Sequence, residues 1–262
     1  MTQILSSEKQ GLIFEIRSAR IVEETEETRK HVLYTVQVRF LTGNDDMSPS
    51  VIERRYTHFF NLYESLYENY PLLIQDIVFP RKVLFGNFEN ELISNRSMQF
   101  EGLLNYIASK SILRSSKAMQ VFLQEPELSI AKEYIQEDNY KSAYEVLEKN
   151  FKLINKVCLD RSPAVILTLS KLVGVLAKLP IDENNVKWAE LAIYRFNGIS
   201  DSDLLEIYIP LLHTCIDIYL AADKDTGDLE NQLRTFEKQG IKGSDKKNLF
   251  NAIDSVELRI LN

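Results

Sequence analysis

Two arginines followed by a tyrosine form the stretch of this sequence that is best suited to binding an anion. Arg54, Arg55 and Tyr56 end a β-rich run that begins near residue 50. One guanidinium can hold two phosphate oxygens at once, and the face of an aromatic ring can cover the CH groups of a sugar. These residue types therefore favour a phosphorylated sugar as the ligand, and a solvated strand edge is the alternative interpretation.

A third arginine stands on the apolar side of a predicted helix that begins near Ser94. The apolar side consists of Phe100, Leu103, Leu104 and Ile107. Arg96 lies four residues before Phe100, so the helical period places it on the same side. A buried arginine is costly unless it has a partner. Arg96 can pair with Glu53 or Glu91, or it can point into an anion-binding cleft, and the sequence leaves both possibilities open.

Pro80 and Gly86 bound a short loop in which basic and apolar residues are neighbours. The loop residues between them are Arg81, Lys82, Val83, Leu84 and Phe85. Cations attract anionic lipid, and exposed apolar side chains can insert into the lipid interface. The loop therefore suits a membrane surface, unless its apolar residues pack back onto the protein.

The composition is that of a globular protein with room for two domains, since 262 residues include 45% hydrophobic and 26% charged ones. The net charge of −7 argues against nucleic acid as a partner, because phosphate affinity comes from clustered Lys and Arg. Cys158 and Cys215 lie in apolar helical patterns, which predicts buried, reduced thiols and a cytoplasmic protein.

No catalytic site, cofactor or metal site is predicted. The histidines His31, His58 and His213 fall in separate elements without metal-ligand spacing. Neither a glycine-rich phosphate loop nor a nucleophile elbow is present in the sequence, which argues against an enzyme. The first residues lack the apolar core of a signal peptide, and the apolar segment 163–180 contains two lysines, so we expect membrane contact to be peripheral.

Alternating apolar residues predict three strands in the first half, at 12–22, 32–41 and 51–56, joined by an acidic turn and by a turn at 43–49. Helices are predicted from Thr57 as N-cap to Tyr70, from Ser94, and from Ser116 to Leu123. The segment Glu125–Glu127, with its central proline, is the predicted domain boundary. An α+β domain over 10–125 follows from this order of elements.

The second half, 128–262, is predicted to be an all-α array with short connections. The predicted helices are 130–136, 140–157, 163–179, 185–196, 203–222, 226–240 and 244–261. Small and large residues alternate between Ala131 and Leu147 with the spacing of a tetratricopeptide-like (TPR-like) helix pair.

The first half resembles a phox-homology (PX) domain, whose fold is a three-stranded meander followed by helices and a proline-containing membrane loop. The residues that carry the resemblance are Arg54-Arg55-Tyr56, Pro80-x-Lys82-x-x-x-Gly86 and Arg96. The resemblance implies that Arg55 binds the 3-phosphate of an inositol headgroup and that Tyr56 packs on its ring. It implies further that Lys82 meets the 1-phosphate and Arg96 the ring hydroxyls.

The layout of the whole chain is similar to that of sorting nexins with a PX-associated B (PXB) domain. This resemblance implies an adaptor that reads phosphatidylinositol 3-phosphate on early endosomes through the first domain. The helical domain would recruit a protein cargo or adaptor, since helical arrays offer extended binding surfaces. A protein-interaction scaffold whose PX-like domain does not read lipid is the alternative.

Overall fold

The computed structural model describes residues 11–26, 28–40, 48–199, 202–238 and 248–261. Contacts divide the chain into two compact units between Glu125 and Pro126. The predictions for the N-terminal residues 1–10, for most of the turn at 43–49 and for the helix ends at Gly240 and Ser244 lie outside the described residues.

The first unit contains the predicted three-stranded antiparallel meander, in the order β1 (Leu12–Val22), β2 (His31–Phe40) and β3 (Ser50–Arg55). Apolar residues alternate along β2, so its inward side is fully buried in the core. That side consists of Val32, Tyr34, Val36 and Val38. Arg55, the last residue of β3, lies opposite Leu33, so the start of β2 and the end of β3 share one end of the sheet.

Four helices of the first unit follow the sheet: α1 (Tyr56–Asn69), α2 (Pro71–Ile74), α3 (Asn90–Ser109) and α4 (Ser111–Arg114). Helix α3 covers the edge strand β1, because Asn105 bonds the backbone N–H and C=O of Phe14 at 3.0 and 2.7 Å. Phe59 of α1 stacks on Phe100 of α3 with ring centroids 3.9 Å apart. This stacked pair joins both helices over the sheet.

Two helices of the first unit, α1 and α3, begin earlier than the sequence predicts. Arg55, not Thr57, is the N-cap of α1, because its backbone N–H donates to Nδ1 of His58 at 3.3 Å. Helix α3 begins at Asn90, with Glu91 in its first turn, where a carboxylate interacts favourably with the helix dipole. Arg96 therefore lies in the second turn of its helix.

The separate helices predicted at 116–123 and 130–136 are wrong, since one helix, α5, extends from Lys117 to Gln136 and includes Pro126. A proline lacks the N–H that would bond the carbonyl four residues earlier, here that of Phe122. Nε of Arg54 donates to this carbonyl oxygen instead, at 2.6 Å. Arg54 is completely buried, so it satisfies inside the protein the acceptor that the proline leaves without a helical donor.

The described part of the second unit is all helical. After α5 come α6 (Tyr140–Val157), α7 (Pro163–Leu176), α8 (Glu183–Phe196), α9 (Ser202–Ala221), α10 (Gly227–Lys238) and α11 (Leu249–Leu261). Helix α7 ends before the predicted residue 179, because the backbone tightens into shorter-range hydrogen bonds ahead of Pro180. Consecutive helices from α6 to α9 pack on one another, and α11 packs on α7 and α9.

One segment of α9, Leu204–Ala221, is long and apolar enough to cross a membrane by composition alone, with a mean hydropathy of 1.5. The core helix of a soluble domain has the same composition, and α9 packs against α7, α8, α10 and α11. Cys158 and Cys215 are both buried, and burial raises the pKa of the Cys215 thiol to about 12. The prediction that both cysteines are buried is thus confirmed.

Candidate functional site

The four residues proposed to contact a headgroup line one open cleft of about 420 Å³ in the first unit. Arg55 ends β3, Tyr56 begins α1, Lys82 belongs to the loop and Arg96 belongs to α3. The end of the sheet, the loop and two helices thus bring together residues that are separated by up to 41 positions in the sequence.

Arg96 is held in the wall of the cleft by neutral groups. Only 3% of this residue is exposed. Its Nη1 donates to Oδ1 of Asn87 at 3.1 Å, and its Nη2 donates to the backbone carbonyl of Arg81 at 3.4 Å. The guanidinium also lies 4.4 Å from the ring centroid of Tyr56. None of these contacts neutralises its charge.

The pairing of Arg96 with Glu53 or Glu91 does not occur. Glu53 pairs instead with Arg20, at 2.8 Å. Within the described residues Arg96 forms no ion pair, and its buried Nε has no hydrogen-bond partner. A buried cation without a carboxylate is costly, so an anion entering the cleft would supply the missing countercharge.

Tyr56 connects the cleft with the loop. Its hydroxyl donates to the backbone carbonyl of Pro80 at 2.8 Å. Its ring contacts Phe60, Phe79 and Phe100. Burial raises the pKa of Tyr56 and outweighs the opposing effect of the Arg96 charge, so the hydroxyl stays neutral and keeps donating to the loop.

Two of the three apolar loop residues lie in solvent, and the third lines the cleft. Leu84 and Phe85 are 89% and 88% exposed, so they do not pack back onto the protein. Val83 is half-buried and lines the cleft. Arg81 and Lys82 are exposed beside them.

Hydrogen bonds and one glycine fix the shape of this loop. The Val83 carbonyl accepts from Nδ2 of Asn87 at 3.0 Å. Gly86 has a φ of +76°, and a Cβ there would come within 3.0 Å of Oε1 of Glu89. A side chain at position 86 would therefore strain the turn that ends the loop.

The sequence did not point to the third wall of the cleft, which comes from the end of the β1–β2 hairpin. Its lining residues are Thr28, Arg29, Lys30, His31 and Val32. The signal was present as three consecutive basic residues, Arg29, Lys30 and His31, at the start of β2, where β3 also finishes. These residues are far from Arg55 and Arg96 in the sequence, so the sequence alone does not indicate that they line the same cleft.

The cleft is strongly basic although the chain is acidic. Five of its lining residues are Lys or Arg, and none of the described lining residues is Asp or Glu. The net charge of the whole chain is −7, so this concentration of positive charge is local. An anion with several negative charges suits such a site better than a neutral ligand.

His58 follows the cleft residues Arg55, Tyr56 and Thr57 in the sequence and has a strongly shifted pKa. Burial lowers its pKa to about 4, and the nearby charges of Arg54 and Arg55 act in the same direction. The neutral ring keeps Nδ1 free to accept from the Arg55 backbone N–H. Neutral His58 therefore helps to fix the backbone of Arg55.

We expect acid to destabilise the first unit through His58. Its pKa is about 4 in the folded state and near 6.5 when unfolded, so between these values the unfolded chain binds more protons. The stability from neutral His58 is complete above pH 6.5 and falls as the pH drops towards 4, by about 1–2 kcal/mol between pH 7 and pH 5. Urea unfolding at both pH values should give a smaller difference for His58→Gln, which keeps an acceptor but does not titrate. An equal difference in both proteins would contradict this.

Among solved structures, a designed CISK-PX domain is 26% identical to this chain. The superposition covers 42% of this chain and 97% of that one, with a TM-score of 0.35.

The family itself is identified by sequence. The family model of the PX domain matches residues 43–126. Sorting nexin-20 of Rattus norvegicus is 31% identical over 222 residues, which are 85% of this chain and 69% of that protein. Sorting nexin-21 of Mus musculus is 38% identical over 119 residues, which are 45% of this chain and 32% of that protein. The predicted membership is confirmed: this chain belongs to the sorting nexins and contains a PX domain.

Proposed function

We propose that this sorting nexin reads phosphatidylinositol 3-phosphate on early endosomal membranes and recruits a protein partner through its helical unit. Its family makes it a phosphoinositide-binding trafficking adaptor rather than an enzyme. The proposal goes beyond the family in naming the lipid, the membrane and a protein partner of the helical unit.

The observation that carries the lipid proposal is a cleft with five Lys or Arg residues and no carboxylate among its described lining residues. In this proposal Arg55 binds the 3-phosphate, Tyr56 packs on the inositol ring, Lys82 meets the 1-phosphate and Arg96 meets the ring hydroxyls. The chemistry is binding, in which permanent cations meet a multiply charged headgroup. No bond in the ligand is made or broken.

The positive charge of the cleft favours a phosphoinositide headgroup as the ligand over the protein-scaffold alternative. A scaffold surface gains nothing from a buried arginine without a carboxylate partner, whereas a phosphoinositide site uses it. Co-sedimentation of the full chain with vesicles decides between them. We expect preference for vesicles with phosphatidylinositol 3-phosphate over vesicles with phosphatidylinositol, at equal net charge set with phosphatidylserine. Equal binding to both would refute the lipid proposal.

Leu84 and Phe85 of the loop should add to membrane affinity without contacting the headgroup. Leu84 and Phe85 have almost no contacts to lose, and both can bury apolar surface in the interface. We expect replacing both with serine to weaken vesicle binding at least tenfold, roughly what partial burial of two such side chains provides. Affinity for soluble inositol 1,3-bisphosphate should stay unchanged.

Ile112→Ser is the matched control for the loop variant, because Ile112 is 51% exposed but lies on α4. It should bind vesicles as the wild type does. If the loop variant retained full vesicle affinity, or if the control lost as much, the proposed insertion of the loop would be wrong.

Protein recruitment is proposed for the second unit because consecutive helices from α6 to α9 pack in an ordered array. Such arrays present extended surfaces to peptides and proteins. In this proposal the array is TPR-like and corresponds to the PXB domain. A partner of the helical unit should be captured from cell extract equally by the wild type and by Arg55→Ala. Loss of every captured protein with Arg55→Ala would mean that recruitment needs the lipid site.

A further inference from the structure

We propose that the cleft has a second anion subsite, formed by Arg29 and positioned by His31, for a further phosphate on a 3-phosphorylated inositol headgroup. This inference rests on the proposed function. Besides the 1-phosphate, the expected headgroup would carry a further phosphate in addition to the one at position 3. The 3-phosphate contact at Arg55 is left as proposed above.

The pairing of the arginines along the sheet carries the argument. Arg17, Arg20 and Arg39 each have a glutamate partner, at 3.5, 2.8 and 2.8 Å. Arg29 and Arg55 line the cleft, and within the described ranges neither forms an ion pair. These three arginines of the sheet each contact a carboxylate, with Arg17 and Arg39 sharing Glu15, whereas Arg29 and Arg55 are left available to a ligand.

Strand register gives the spacing between the two subsites. Arg55 lies opposite Leu33, and His31 precedes Leu33 by two residues on β2. Diagonal neighbours of this kind lie about 7–8 Å apart at Cα and project from the same face of the sheet. One inositol ring with two phosphates can reach from Arg55 to His31.

The conformation of His31 ties Arg29 to the same place. Nδ1 of His31 lies 2.8 Å from the backbone carbonyl of Arg29, and a carbonyl can only accept, so Nδ1 carries the hydrogen. In this tautomer Nε2 carries no hydrogen and can only accept, so it offers no donor to a phosphate. His31 contributes instead through its bond to the Arg29 carbonyl, which holds the backbone of Arg29 at the wall of the cleft.

Lys30 does not have this role, although it also lines the cleft. Its Nζ pairs with Glu23 at 3.0 Å and lies 5.0 Å from the ring centroid of Phe88. The charge of Lys30 is therefore partly neutralised within the hairpin. Arg29 is the exposed cation of this segment that remains for a second phosphate.

Calorimetry with soluble headgroups tests the subsite on the full chain. The probes are inositol 1,3-bisphosphate and its 1,3,4- and 1,3,5-trisphosphate counterparts. We expect the wild type to bind at least one trisphosphate about fivefold more tightly than the bisphosphate, since the added contact is exposed. Arg29→Ala should remove that difference, whereas Arg17→Ala, which loses an equal charge outside the cleft, should keep it.

The outcomes separate this inference from the proposed function. If the bisphosphate binds in an Arg55-dependent way but no trisphosphate binds more tightly, the proposed function stands and the subsite is refuted. If Arg29→Ala keeps the difference, the subsite is also refuted. If the wild type binds none of the probes, both fail.

Vesicles with the corresponding mono- and bisphosphorylated lipids, matched in net charge, identify the source of the headgroup. A difference that depends on Arg29 in vesicles and in solution supports a lipid as the ligand of the subsite. The same difference in solution alone supports the subsite with a soluble inositol phosphate as its ligand.

Discussion

Replacing Arg55 with alanine is expected to lower the affinity for phosphatidylinositol 3-phosphate vesicles by roughly 10- to 100-fold, because one charge-assisted contact to phosphate contributes about 1.5–3 kcal/mol. The fold should not change. Arg55 is exposed at the end of β3, and its structural hydrogen bond to His58 comes from the backbone.

Vesicle co-sedimentation and urea unfolding together check this expectation. Arg17→Ala removes one exposed arginine from the same sheet but outside the cleft, so it should bind vesicles nearly as the wild type does. If Arg55→Ala bound vesicles normally, the headgroup would have to be read elsewhere. If it lost stability as well as binding, the loss of affinity would no longer report on a direct contact.

The neighbouring residue should give the opposite result, since Arg54→Met is expected to cost about 2–3 kcal/mol of stability. Methionine can fill most of the space, but it offers no donor to the Phe122 carbonyl. Pro126 has no N–H to replace that donor, so a buried acceptor would remain unsatisfied. Any loss of lipid binding by Arg54→Met should follow from unfolding.

A double-mutant cycle with Pro126→Ala isolates the cause. Alanine restores a backbone N–H four residues after Phe122, so the helix can bond that carbonyl by itself. Urea unfolding should then show a cost of Arg54→Met that is smaller by about 1 kcal/mol in the Pro126→Ala background. An equal cost in both backgrounds would show that other contacts of Arg54, such as that to the Glu53 carbonyl, determine its effect.

The elements around the site were largely predictable because their patterns are local. Alternation in β2 and the apolar side of α3 give the correct elements, and they place Arg55 and Arg96 on them. Arg96 on an apolar helix side was the most informative single signal, since burial of a cation is costly. In the structure Glu53 pairs with Arg20, so the predicted alternative in which Arg96 pairs with Glu53 is wrong.

What the sequence could not give depends on contacts between distant segments. Pro126 ordinarily predicts a helix end, and only the approach of Arg54 explains why α5 includes it. The alternation of β3 did hold a clue, because Arg54 shares the buried side with Ile52. The position of Arg29 in the cleft could not be predicted for a related reason, since Arg29 belongs to a hairpin whose acidic residues are typical of solvated charge.

The bonds of Arg96 and Tyr56 to the loop would couple the proposed headgroup recognition to the proposed loop insertion. Arg96 donates to Asn87 and to the Arg81 carbonyl, and Tyr56 donates to the Pro80 carbonyl, so the groups proposed to surround the headgroup also hold the loop. By linkage, whatever free energy a bound headgroup adds to loop insertion, an inserted loop must add to headgroup binding. A favourable coupling would raise the affinity for a membrane above the product of the two separate binding constants.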